Sequence, residues 1–156
     1  MASCSGGDEM SVDVIITTKD RPEMLSGAVQ QLRKFIPCNR IIIVESSVNP
    51  DKDLLVKLDV ETVFTPLANL GYARQEGLLA AKTQVVMLID DDLTLEKNWF
   101  HYMIQALESK PDVLAVSGKV VFGYGTNKVL EKLHRKGQRR LGASGGASLM
   151  KREEIL

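Results

Sequence analysis

Short apolar runs alternate with helically spaced apolar positions along most of this chain. Val12 to Thr17, Arg40 to Val44, Glu61 to Thr65 and Gln84 to Ile89 read as strands. Ile41-Ile42-Ile43-Val44 and Val85-Val86-Met87-Leu88-Ile89 are continuous and mostly branched, the pattern of strands buried on both faces of a parallel sheet. After the first strand, Met24, Leu25, Ala28, Val29, Leu32 and Phe35 recur at helical spacing, and Pro37 stops that helix. Asp20 is its expected N-cap, with Pro22 in the first turn and Glu23 at N3. Asp51 to Leu58 reads as a short helix or turn, and Leu70 to Ala81 as a helix. Thr94 is expected to cap a further helix carrying Leu95, Trp99, Phe100, Met103, Ile104 and Leu107, ended by Pro111. Val113 to Val116 opens a fifth strand, with Phe122 as its furthest reach. This order predicts an α/β fold: a mostly parallel, Rossmann-like sheet with helices on both faces.

Three carboxylates, Asp90, Asp91 and Asp92, follow the fourth strand directly. They fall where the strand leaves the core, and in open α/β sheets that carboxyl edge is where ligands bind. Adjacent negative charges repel one another, so a compensating charge is expected. A divalent cation meets that need, because hard cations take carboxylate oxygens, and a cation held there can in turn hold a diphosphate. If the fourth strand lies beside the first, on the side away from the second, a crevice opens between their ends. Its walls would be Thr17-Thr18-Lys19-Asp20 and the acidic triplet.

Composition narrows the choice. Lys+Arg and Asp+Glu both total 20, so no overall charge points to nucleic acid or membrane. The 156 residues, 44% of them hydrophobic, suffice for one domain with its own core. Cys4 and Cys38 make neither a metal spacing nor a disulfide framework and fit a reducing compartment. No apolar run reaches the length of a membrane span. Residues 1–11 read as a disordered leader, lacking the basic and apolar regions of a signal peptide. The turn after the first strand carries no G-x-G-x-x-G and no P-loop, which disfavours a dinucleotide oxidoreductase. His101 sits among helical packing positions and reads as structural.

At this point the residues resemble a known family. Val14-Ile15-Ile16-Thr17-Thr18-Lys19-Asp20-Arg21-Pro22, Ile41-Ile42-Ile43-Val44-Glu45-Ser46-Ser47 and Asn69-Leu70-Gly71-Tyr72-Ala73-Arg74-Gln75-Glu76-Gly77-Leu78 come first. Val86-Met87-Leu88-Ile89-Asp90-Asp91-Asp92 and Gly145-Gly146-Ala147-Ser148-Leu149-Met150-Lys151-Arg152 follow. In that order they resemble the nucleotide-sugar-binding half of a family 2 glycosyltransferase with the GT-A fold. The resemblance implies a three-layer α/β/α sandwich over residues 12–156, shortened on its acceptor and base side. It implies transfer of a sugar from a nucleoside-diphosphate sugar, UDP-linked in the commonest case, to an acceptor hydroxyl with inversion. It also implies a divalent metal, Mn2+ or Mg2+. Thr17 and Thr18 would lie near the base or ribose, in the same turn as Asp20 and Arg21. Glu45, where the family usually has Asp, would accept from the base. Arg74 would reach the base or diphosphate, and Asn69 would shape the turn before it. Asp90 would contact the ribose or the metal's water shell, Asp92 would be the direct metal ligand, and Asp91 would serve the turn. Gly145 and Gly146 would admit the sugar or acceptor.

The family's catalytic base lies in an acidic motif beyond the glycine segment, so neither Glu153 nor Glu154 is assigned to that role. The acceptor, whether glycan, lipid or protein, stays open. The expected partners exclude nucleic acid, and the expected location is cytoplasmic or peripheral at a membrane. The basic segment Lys132 to Arg140 reads as a solvated face, a mobile loop over the site or a patch for acidic headgroups. Two rival readings remain. One is a nucleotide-sugar binding module without turnover. The other is a haloacid-dehalogenase-type phosphatase, since Asp90-Asp91-Asp92-Leu93-Thr94 also fits D-x-D-x-T with Asp90 as nucleophile.

Overall fold

The structure is a computed structural model that describes residues 11–109, 111–118 and 146–152. Its elements run β1 (Val12–Thr18), α1 (Pro22–Phe35), β2 (Arg40–Glu45), α2 (Lys52–Lys57) and β3 (Glu61–Phe64). They continue with α3 (Leu70–Ala80), β4 (Val85–Asp90), α4 (Trp99–Glu108), β5 (Ala115–Ser117) and β6 (Ala147–Lys151). The sheet order is β3-β2-β1-β4-β6-β5. The strands β3, β2, β1 and β4 are parallel neighbours, β6 lies antiparallel to β4, and β5 antiparallel to β6. The chain thus reverses its direction of travel across the sheet at β1, and β4 takes the expected place beside it. Thr17 pairs with Asp90 in the register, which sets the two strand ends side by side.

Alternation along the strands divides the core in two. Val14, Ile16, Ile41, Ile43 and Met87 pack with Leu25, Val29 and Leu32 of α1, Leu55 of α2, and Met103 and Leu107 of α4. On the opposite face Ile15, Ile42, Val44 and Val86 pack with Ala73 of α3. Each such large apolar side chain contributes roughly 1.5–3 kcal/mol when fully buried. Gly77 brings α3 unusually close: a Cβ there would stand 2.3 Å from Ile15 Cγ2.

A buried acid ties the N-terminal edge of the sheet. Asp13 has no exposed surface, yet it accepts from Arg40 Nη2 at 2.6 Å and from the Lys82 amide at 2.7 Å. Burial pushes its pKa up, but these bonds and those from Asn39 and Thr83 bring it below the ordinary value. Arg40 is held above its ordinary value chiefly by Asp13.

Two expected caps are corrected. The residue preceding α1 is Arg21, which makes no side-chain cap, while Asp20 adopts a left-handed φ of 55° and its amide donates to Ser47 Oγ. Helix α4 begins at Trp99, well beyond Thr94, because left-handed Asn98 (φ 72°) interrupts any helical run from Thr94; the Leu95 amide donates to Gln31 Oε1 of α1. Asp51 and Asn69 do cap, accepting from the Leu54 and Tyr72 amides at 2.9 and 3.0 Å. The fifth strand begins at Ala115 rather than Val113. Its suggested extension to Phe122, the leader up to residue 10, the basic segment, Gly145, Glu153 and Glu154 lie outside the described residues.

Candidate active site

A cleft of about 380 Å³ opens at the carboxyl ends of β1 and β4. Thr17, Thr18, Lys19 and Arg21 wall one side, Asp90, Asp91 and Asp92 another, and Ala68, Asn69, Leu70 and Ala73 the α3 side. Ser46 closes the β2 end. Lys19 stands in the crevice wall where the end of β1 was expected to place it, whereas Ser46 was given no site role from sequence; its signal was the end of a continuous apolar strand, where polar side chains face the edge.

The three acids have three different environments. Asp90 accepts from Arg74 Nη2 at 3.0 Å, and both side chains are roughly two-thirds buried, at 31% and 28% exposed. Asp91 is buried and accepts from Thr18 Oγ1 at 2.7 Å and from Arg21 Nη1 at 3.2 Å. Asp92 is half exposed, and Arg21 Nη1 approaches it at the longer distance of 3.4 Å. Asp91 therefore braces the turn by joining the end of β1 to the end of β4. Asp92 keeps a carboxylate turned toward solvent, and Arg74 and Arg21 offset much of the triplet's repulsion.

The other expected site residues divide between this cleft and a second one. Asn69 starts α3 and so presents the Ala73–Arg74 turn to it. Gly146, with φ 117°, lies beside the triplet, its carbonyl accepting from the Asp90 amide at 2.8 Å. Glu45 and Asp20 line a second, smaller cleft of about 70 Å³ between β2 and the start of α1, together with Arg21 and Ser47. Glu45 Oε1 there accepts from the amide of Ser47 at 2.8 Å and from its hydroxyl.

Among the described residues no group of three or more side chains forms a metal cage. A small hard cation needs no such cage, since one or two carboxylates hold it while phosphate oxygens and water fill the remaining positions. The exposed carboxylate of Asp92 fits such an ion, with Asp90 two residues away as a further oxygen donor.

The chain matches the family described as glycosyl transferase family 2 over residues 13–153, and it belongs to that family. It is similar to a glucosyl-dolichyl phosphate glucuronosyltransferase from Haloferax volcanii, with 30% identity over 121 residues. That match covers 72% of this chain and 39% of the relative. Among solved structures, a mannosyltransferase from Pyrobaculum calidifontis in complex with GDP-Man and Mn2+ superposes with a TM-score of 0.71 at 18% identity. The superposition covers 91% of this chain and 44% of that one. A glucosyl-3-phosphoglycerate synthase from Mycobacterium tuberculosis in complex with UDP gives 0.68 at 14% identity, covering 93% and 58%. The chain thus spans about half the length of these structures or less, and it shares with them the expected GT-A fold. Membership removes the phosphatase reading of Asp90, whose motif belongs after the first strand of its fold and here follows β4. No helix among the described residues is long and apolar enough to cross a membrane.

Proposed function

We propose that this chain supplies the donor site of a metal-dependent glycosyltransferase that moves a sugar from a nucleoside-diphosphate sugar to an acceptor hydroxyl with inversion. The carrying observation is the separation of roles within the triplet: a paired Asp90, a buried bracing Asp91 and an outward Asp92 at the β1/β4 crevice. Family membership gives that arrangement its chemistry. A UDP-sugar is the favoured donor, by resemblance to the family's commonest choice.

The nucleoside lies along the ends of β1 and β2, against Thr17, Thr18 and Ser46, and the diphosphate points toward Asp92. Asp92 holds a divalent cation, which when bound supplies Lewis-acid stabilisation of the leaving diphosphate. Arg74 moves its guanidinium from Asp90 to a phosphate oxygen, adding charge where the leaving group develops it. Gly146 lets backbone stand close to the transferred sugar. The acceptor hydroxyl attacks the anomeric carbon from the face opposite the diphosphate and gives its proton to a carboxylate base. No described residue is assigned as that base. The acceptor is a hydroxyl compound of unassigned class.

A thermal-shift screen of UDP-, GDP- and other nucleotide sugars, with and without Mn2+, tests this reading. A ligand that binds the folded state raises the midpoint by mass action. The expected result is a shift for at least one nucleotide sugar that needs the cation. No shift with any of them, at millimolar ligand and cation, would contradict it.

A further inference from the structure

Residues of β2 alternate between the two faces of the sheet. Ile41 and Ile43 pack with α1, while Ile42 and Val44 pack with α3. Glu45 continues the first series and Ser46 the second. Their linings agree: Ser46 faces the main cleft, and Glu45 faces the smaller one beside α1. The Glu45 carboxylate is nearly inaccessible, at 7% exposed for the residue, and it already receives the amide and hydroxyl of Ser47.

The chain of contacts continues toward the acids. The Ser47 hydroxyl, donating to Glu45, has a lone pair left, and it accepts the Asp20 amide at 2.6 Å. Asp20 has a left-handed φ of 55°, uncommon for a non-glycine residue though Asp is among those that adopt it, and its amide is anchored there by Ser47. The next residue is Arg21, whose Nη1 reaches Asp91 and Asp92.

We propose that Glu45 is a positioning residue rather than the reader of the nucleobase: through Ser47 it fixes the turn at Asp20 and so sets Arg21 against Asp91 and Asp92. To meet a base N–H in the main cleft, the carboxylate would have to leave Ser47 and swing to the opposite face of the strand. The inference rests on the donor-site reading only for its effect on nucleotide binding. The geometric claim stands apart from it.

Two measurements test it. In the first, NMR follows the Asp20 amide exchange rate and the Arg21 side-chain Nε–H signal without any nucleotide. Glu45→Ala and Ser47→Ala should speed Asp20 exchange at least tenfold and move the Arg21 signal toward that of free arginine. Glu45→Gln, whose amide oxygen still accepts from Ser47, should stay close to wild type. Ser47→Ala keeps the decision open if Glu45→Ala fails to fold. An unchanged Arg21 signal in Ser47→Ala overturns the proposal. In the second, calorimetry compares UDP, GDP and uridine in the presence of Mn2+. Glu45→Ala should weaken UDP and GDP by the same factor, leave uridine within twofold, and add nothing once Arg21 is already alanine. A loss for uridine as large as for UDP, with GDP spared, makes Glu45 the base reader and overturns the proposal. If wild type binds none of the three, the donor-site reading fails, while the NMR result still decides the role of Glu45.

Discussion

Arg74, in the second turn of α3, and Asp90, the last residue of β4, form an ion pair of 3.0 Å at the wall of the cleft. The helix stands close enough to make it because Gly77, one turn further along, lets α3 settle onto Ile15 and Val44. The pair keeps an arginine beside the diphosphate's proposed position and offsets the Asp90 charge that would otherwise repel a phosphate.

Replacing Arg74 with Ala should weaken UDP more than uridine. A charge-assisted hydrogen bond of this kind is worth roughly 1.5–3 kcal/mol. Calorimetry with both ligands in Mn2+ checks it. Equal weakening for the two would move Arg74 from the diphosphate to the base.

Gly77→Ala should destabilise the fold and displace the site together. The added Cβ would meet Ile15 Cγ2 at 2.3 Å and Val44 Cγ2 at 3.1 Å, so α3 must lift or the strands must shift. Overpacking of this kind costs about 1–3 kcal/mol. Urea unfolding should show that loss, and nucleotide affinity should fall with it. Wild-type stability in the variant would mean that the helix is not seated so closely.

Stability should depend on Asp13 at acid pH. Its folded pKa lies below the ordinary 3.8, so its contribution is present above that value and is lost as pH falls through the folded pKa. Removing one partner of a buried ion pair typically costs about 3–5 kcal/mol. Asp13→Ala should therefore unfold in less urea than wild type at pH 7, and the gap should narrow below pH 3.8. A gap of constant size across that range would contradict the assignment.

The strands were legible because their composition allowed little else. Ile41 to Val44 and Val85 to Ile89 are continuous, mostly branched runs, buried on either face apart from the half-buried Leu88. The triplet was legible because it ends such a run, and the placing of β4 beside β1 followed from common topology. Contacts distant in sequence were not legible. Asp20 looked like a cap by residue type, but Ser47 takes its amide from 27 positions away. Thr94 looked like another, but left-handed Asn98 interrupts the run that would follow it, and the Leu95 amide is turned to Gln31, 64 positions away. The insertion of β6 between β4 and β5 pairs segments that share no local pattern. Asp13 gave a readable signal, an acid inside an apolar strand, whose partner became visible only with the β1–β2 register that sets it opposite Arg40.

Asp92 is the residue proposed to hold a cation for the diphosphate. Calorimetric titration of UDP into wild type and Asp92→Ala, with Mn2+ and then with chelator, tests it most directly. Asp92 is half exposed and its contact with Arg21 is long, so the variant should keep wild-type unfolding behaviour. The predicted result is tight binding by wild type only with Mn2+, and weak binding by the variant that Mn2+ does not improve. Unchanged affinity and unchanged metal dependence in Asp92→Ala would contradict the account.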